Sequence, residues 1–180
     1  MRKTIEGYHF DFPKATSISK FDDPKTHQMS HTMKAVDVLI EMPECRIFIE
    51  IKNYEAHREW KGFLKKKDEE REAFLDHLRF SLKYKYRDSF LYQWCQNKEE
   101  KKSIFVFLTD WSNNSQINTF QNALHWQSLF PTQNEKDENW GKVWKRTFVA
   151  DAIMINDSLW NKTEKLRNYG TIKKAVSYTH

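Results

Sequence analysis

Glycine and proline are scarce, four of each in 180 residues. So few natural breaks argue against a string of small domains, and the length suits one domain, 1–180, with a full core. Cysteine is scarcer still: Cys45 and Cys95 alone make no disulfide framework and fit a reducing compartment. The strongest apolar run, Ile104 to Leu108, is far too short to span a bilayer, so no membrane is expected. The N-terminus carries Arg2 and Lys3, then Glu6, His9 and Asp11, with no apolar signal core; a cytoplasmic location is the expectation. The sequons at Asn113 and Asn161 are then chance matches. There is no internal repeat, no glycine-rich phosphate loop and no nucleophile elbow, which argues against nucleoside-triphosphate and serine-hydrolase chemistry.

Aromatic side chains are plentiful at 15%, and 31% of residues are charged. The formal net charge is +5. The excess is local, because residues 141–180 hold eight Lys/Arg against three Asp/Glu. A basic C-terminal extension favours a polyanionic partner, nucleic acid before others, although many soluble proteins are mildly basic without one.

Hydrophobic periodicity predicts strands at Tyr8–Phe12, Lys34–Glu41, Arg46–Lys52, Ser103–Thr109 and Thr147–Ile155. Residues 14–33 are polar and weakly patterned, with at most a short helical turn. Residues 55–97 are helical in composition and long enough for two helices or a bent one. Gln116–Phe130 reads as a helix stopped by Pro131, residues 131–140 as a polar loop, and Ser158–Asn168 as a helix capped by Ser158. A basic tail follows Gly170. This order of strands and helices points to one α/β sheet with helices on its faces.

The strands 34–41 and 46–52 carry the chemistry. A symmetric turn at Pro43-Glu44 pairs Ala35 with Lys52, Asp37 with Glu50, Leu39 with Phe48 and Glu41 with Arg46. Val36, Val38, Ile40, Ile47, Ile49 and Ile51 then share the opposite, core-facing side and set the register. Asp37 opposite Glu50 is the anomaly. Two carboxylates on Cβ atoms about 5 Å apart repel until a proton or a cation relieves them, and a hard divalent cation suits paired carboxylates. Lys52, two residues beyond Glu50, reaches the same volume. A plain surface salt bridge is the alternative, and such pairs contribute little. Against it, the strand is otherwise apolar and helices are expected to cover the sheet.

At these residues the chain resembles the PD-(D/E)XK, or restriction-endonuclease-like, nuclease superfamily. The matching text is Ala35-Val36-Asp37-Val38-Leu39-Ile40, then Ile47-Phe48-Ile49-Glu50-Ile51-Lys52-Asn53, followed by a helix and the strand at Ile104–Leu108. The likeness covers roughly residues 1–110. It implies a mixed central sheet in an αβββαβ core and a Mg²⁺- or Mn²⁺-dependent phosphodiester hydrolase, an endonuclease acting on DNA. In that reading Asp37, Glu50 and Lys52 are catalytic. Asp37, Glu50 and the main-chain carbonyl of Ile51 hold the metal, and Lys52 orients the attacking water. Val36 stands where the family often has proline. Many members place a further acid on an N-terminal helix; the candidates here are Glu6, Asp11, Asp22 and Asp23. A homodimer would supply the two sites that cutting two strands needs. The competing function is a non-catalytic scaffold of the same fold that binds nucleic acid or protein.

Other features are less specific. Arg79, Lys83 and Arg87 recur at spacing four, beside an apolar stripe of Phe74, Leu78 and Leu82. They could face nucleic acid or simply be solvated. Lys162, Lys165 and Arg167, with Lys142, Lys145, Arg146, Lys173 and Lys174, are candidate phosphate contacts without base specificity. His27 and His31 would suit zinc only on a helix and with further ligands. The seven tryptophans are scattered, most of them expected in the core.

Overall fold

The computed structural model describes residues 1–23, 25, 33–55, 65–96, 101–130 and 149–175. It is a mixed α/β structure with a five-stranded mixed sheet, a three-stranded antiparallel sheet and flanking helices.

The large sheet has the order β3 (Ser17–Lys20), β4 (Val38–Glu41), β5 (Cys45–Lys52), β6 (Lys102–Thr109), β7 (Asp151–Asn156). The first two pairings are antiparallel and the last two parallel. The β4–β5 register is the one expected from sequence, with Leu39 opposite Phe48 and Glu41 opposite Arg46. Arg46 Nε donates to both carboxylate oxygens of Glu41, at 3.0 and 3.1 Å. Such a paired charge is what lets both side chains be buried. β4 is shorter than expected, because ladder pairing begins only at Val38.

Between β5 and β6 runs α1 (Asp68–Cys95), one uninterrupted helix of 28 residues. It contains neither glycine nor proline, so nothing breaks it, and Asp68, Glu69 and Glu70 in its first turn complement the helix dipole. The expected helix at 116–130 is instead two, α2 (Asn114–Ala123) and α3 (Trp126–Leu129). They are separated where His125 adopts a left-handed conformation, φ 49°. Asn113 caps α2 through its side chain.

Residues 151–174 contribute to both sheets. β7 pairs with β6, and the expected basic tail forms β8 (Thr171–Lys174), which pairs with β2 (Tyr8–Asp11). β2 in turn pairs with β1 (Arg2–Ile5) around a two-residue turn, Glu6-Gly7, both at positive φ. The expected helix at 158–168 is two short ones, α4 (Asp157–Lys162) and α5 (Glu164–Arg167). The cap of α4 is Asn156 rather than Ser158: Asn156 Oδ1 accepts from Leu159 N at 2.7 Å.

Two cores sandwich the large sheet. On one face α1, α2 and α3 press Leu82, Tyr86, Phe120 and Trp126 onto Phe48, Phe105 and Phe107. On the other face Val38, Ile40, Ile47, Ile49 and Ile51 meet Tyr8, Phe10 and Ile172 of the small sheet, with Trp160 of α4. Val36 departs from its expected place. It lies in the helix-side core, because strand alternation does not extend back through residue 37. No helix among the described residues is long and apolar enough to cross a membrane.

Candidate functional site

β5 is buried on both faces, and Glu50 near its C-terminal end is completely inaccessible. Its side chain points toward α1. A lone carboxylate there would be costly, and two lysines answer it. Lys85 Nζ donates to Glu50 Oε1 at 2.7 Å and Oε2 at 2.8 Å, and Lys52 Nζ lies 2.9 Å from Oε1. Burial still raises the Glu50 carboxyl above its ordinary value, with the charge of Asp37 adding to the effect and the two lysines opposing it.

Asp37 sits one residue before β4 and replaces ladder pairing with its side chain. Its Oδ2 accepts the backbone N–H of Ile51 at 2.6 Å, while its own carbonyl accepts from Phe21 N at 2.8 Å. Its other carboxylate oxygen, Oδ1, lies 3.5 Å from Lys85 Nζ. The sequence therefore brings Asp37, Glu50 and Lys52 to one place, as expected, and the structure adds Lys85 at its centre. For Lys85, burial pulls the ammonium toward neutrality, but the charges of Glu50 and Asp37 outweigh it and hold the ammonium above the ordinary lysine value.

Sequence reasoning passed over Lys85 for the basic stripe at 79, 83 and 87. The signal was present. Leu78, Leu82, Lys85 and Ser89 follow a 4-3-4 spacing, so Lys85 interrupts a core-facing stripe. A lysine at such a position needs an acid waiting for it.

The approach to Asp37 is anchored to the same helix. Lys34 N donates to Asp88 Oδ2 and Val36 N to Ser89 Oγ, both at 3.0 Å. Ser89 Oγ also donates to the carbonyl of Lys85 at 2.6 Å. The turn of α1 that carries Lys85 thus holds the backbone that carries Asp37.

Among the four acids considered as a third partner, Asp22 is the one electrostatically in reach of the site. Burial first, then the charge of Asp37, raise its carboxyl, with Lys20 and Lys85 opposing. Its Oδ1 is buried and accepts no hydrogen bond, with Lys20 Nζ 4.0 Å away. Glu6 is paired with Lys20 and Asp11 with Arg2, and Asp23 accepts from Lys25 N. Among the described residues, no group of three or more His, Cys, Asp or Glu side chains is arranged to hold a metal ion. What the site does offer is three oxygens, Asp37 Oδ1 and both of Glu50, around one cation, the Lys85 ammonium.

Beside Lys52 lies a cleft of about 380 Å³ between the end of β5 and α1, lined by Asn53, Phe74, His77, Leu78 and Ser81 among others. Its lining mixes apolar side chains such as Phe74 and Leu78 with polar ones such as Asn53, His77 and Ser81.

The remaining candidates are placed as follows. Arg79 is tied into the fold: its Nη1 pairs with Glu72 and Asp76, each at 2.6 Å, and its Nη2 donates to Ala123 O at 2.7 Å, fastening α2 to α1. Lys83 is exposed. Arg87 is exposed, lies over the Tyr84 ring and pairs with Asp88 at 3.5 Å. Lys162, Lys165 and Arg167 are exposed on α4 and α5, Lys165 being 3.3 Å from Asp151. Lys174 pairs with the buried Asp110 at 3.0 Å, and Lys173 is exposed. His27, His31, Lys142, Lys145, Arg146 and the expected loop at 131–140 lie outside the described residues. Trp111, Trp126 and Trp160 are core residues, while Trp94 is exposed.

No family model matches the chain, and no curated protein or solved structure matches it either.

Proposed function

We propose that the protein is a divalent-metal-dependent nuclease of the PD-(D/E)XK type, hydrolysing phosphodiester bonds in DNA as an endonuclease. The observation that carries this reading is the convergence of Asp37 Oδ1 with both Glu50 oxygens on a single cation, 2.7 to 3.5 Å away, with Lys52 alongside. Two further points support it. The run β3–β4–β5–α1–β6 reads βββαβ with a parallel β5–β6 pair, the order of the restriction-endonuclease-like core, although no helix precedes β3 among the described residues. The cleft beside Lys52 offers the apolar side chains of Phe74 and Leu78 to a base or sugar.

Hard carboxylate oxygens suit Mg²⁺ or Mn²⁺, and the Lys85 ammonium marks where a cation is already stabilised. Asp37 and Glu50, with the main-chain carbonyl of Ile51, would hold the ion. When bound, it supplies Lewis-acid polarisation of a phosphoryl oxygen and acidifies a water. Lys52 is about one-third exposed, so its ammonium can turn from Glu50 to the attacking water or to the charge that grows on phosphorus-bound oxygen. Asp37 grips Ile51 N and thereby keeps the two acids in register. Exposed Lys83 and Arg87, and the basic surface of α4 and α5, would contact backbone phosphates. Two sites for two strands would come from a homodimer, which sedimentation of the protein with and without DNA checks.

A second reading has a specific observation behind it. Two acids and two lysines already sum to zero charge, so the quartet is self-sufficient as a structural ion cluster in a non-catalytic nucleic-acid- or protein-binding scaffold. Incubation with plasmid, linear duplex, single-stranded DNA and RNA, in Mg²⁺, Mn²⁺ or EDTA, separates the two. The nuclease reading expects cleavage that EDTA stops and that Asp37→Ala, Glu50→Ala and Lys52→Ala each abolish without loss of circular dichroism. Full activity in Glu50→Ala would sink it, and inertness under every condition would leave the scaffold.

A further inference from the structure

The three oxygens offered to a metal are the same three that Lys85 occupies. Its Nζ takes Glu50 Oε1 and Oε2 at 2.7 and 2.8 Å and reaches Asp37 Oδ1 at 3.5 Å. An ammonium and a divalent ion cannot share that locus, since like charges within a few ångströms in a poorly solvated site repel strongly. Nor can the helix simply carry Lys85 away. The turn of α1 that carries it is tied to the approach to Asp37, since Ser89 Oγ accepts from Val36 N and Asp88 Oδ2 from Lys34 N. What can move is the side chain, whose four-carbon stem is flexible and which is one-fifth exposed.

We propose that Lys85 is the resident counter-cation of the metal site, and that a divalent ion binds only by displacing the Lys85 ammonium. This rests on the metal-dependent reading above and adds a lock to it. With Lys85 seated, the acids and lysines are charge-balanced and the acids have no need of an ion. With a divalent ion seated, the site carries two extra positive charges and a free lysine. A phosphodiester and a hydroxide would restore the balance, so metal entry is favoured when a phosphate is present to receive the ammonium. By linkage each would strengthen the other's binding.

The probe is Mn²⁺ alone, titrated into the EDTA-stripped full chain and followed by the electron paramagnetic resonance signal of the free ion. Lys85→Met should bind Mn²⁺ tighter than wild type by roughly tenfold or more, the equivalent of a lost charge-assisted hydrogen bond. Lys102→Met makes the same charge change at the exposed start of β6, opposite Cys45 and so at the far end of β5 from Glu50, and should stay within about twofold of wild type, as a distant screened charge does. Equal or weaker binding in Lys85→Met overturns the lock while leaving the metal site standing. Absence of Mn²⁺ binding in wild type and Lys85→Met alike overturns the metal-dependent reading itself, and the lock with it. A second measurement needs no variant. Acetylation of wild-type lysines by an N-hydroxysuccinimide ester, read by peptide mass spectrometry, should label Lys85 several-fold faster at saturating Mn²⁺ than in EDTA. Unchanged Lys85 labelling with Mn²⁺ bound also overturns the lock.

Discussion

At the scale of single residues, the energetics of the site turn on Glu50, a carboxylate without solvent whose charge is tolerated because lysines surround it. Removing one partner of a buried ion pair costs about 3–5 kcal/mol, more than the pair contributes over an apolar replacement. Lys85→Met should therefore be destabilised in EDTA, and the deficit should depend on pH. The Glu50 carboxyl lies above its ordinary value because of burial and Asp37, and loss of Lys85 moves it further up. A carboxyl raised on folding favours the fold below its unfolded value, and that advantage is lost as pH rises through the folded value. At pH 4, below the ordinary glutamate value, the variant should approach wild type, and its deficit should grow as the pH is raised to 8. Urea unfolding at the two values checks this, and a deficit of equal size at both would mean that Lys85 acts through packing alone. Asp37, Glu50 and Lys52 were legible in the sequence because acids in an apolar strand are anomalous. Lys85 was legible only as an interruption of the stripe of Leu78, Leu82 and Ser89, a weaker signal that stands out once α1 is phased against the sheet. The left-handed turn at Glu6 had the same difficulty: the glycine after it is visible, but the polar strand before it carries no alternation.

Whole elements were legible where the pattern was apolar on one face or both. The β4–β5 register followed from Ile47, Ile49 and Ile51 opposing Val38 and Ile40, and β6 from its continuous apolar run. β1 and β3 were missed for a common reason: each is a short strand at the edge of its sheet with one buried residue, Ile5 or Ile18, and the rest of each is polar or solvated. The break between α2 and α3 rests on one residue, His125, that the sequence does not mark. Two predictions belong here. Ser89→Ala removes the acceptor of Val36 N and the donor to Lys85 O at a fully buried position. Leaving a buried N–H unsatisfied costs about 1–3 kcal/mol, so the midpoint of chemical denaturation should fall with its slope unchanged. Cleavage should fall further than stability does, because the strand end bearing Asp37 loses its anchor to α1. Activity unaffected at temperatures where the variant is fully folded would separate this bond from the site. Gly170→Ala tests the seam that closes the C-terminus onto the small sheet. A methyl at Gly170 would stand 2.5 Å from both Asp11 O and the Phe12 ring, and Trp160 Nε1 donates to the Gly170 carbonyl at 3.0 Å. Backbone on one side and a buried ring on the other leave nowhere to shift, so overpacking should cost about 1–3 kcal/mol. A thermal midpoint equal to wild type would show that the seam yields.

At the scale of the whole molecule, the charge distribution carries the remaining expectation. The surplus of basic residues over 141–180 equals the net charge of the chain, yet the structure divides it unequally. Lys174 is spent on buried Asp110 and Lys165 leans on Asp151, whereas Lys162 and Arg167 are exposed on α4 and α5. These helices cover the sheet face opposite α1, through Trp160 and Leu166, so a DNA duplex touching them and the Lys52 cleft at once would have to wrap an edge of the sheet. If they do contact phosphates, binding releases condensed counterions, and affinity should fall steeply with salt. Replacing Lys162, Lys165 and Arg167 together by glutamine should make the log–log salt slope shallower by roughly 0.9 for each residue that contacts a phosphate. The loss should be similar for every DNA sequence, since phosphate contacts carry no base information. Lys165 should contribute least of the three, because its charge is already shared with Asp151. Fluorescence anisotropy with duplexes of two unrelated sequences across a salt series measures both quantities. The Asp37–Glu50–Lys52–Lys85 cluster is untouched by the change, so cleavage should persist at low salt and high protein concentration. An unchanged slope and affinity would mean that α4 and α5 merely solvate their side of the molecule, and that DNA approaches over the α1 face alone, past Lys83 and Arg87.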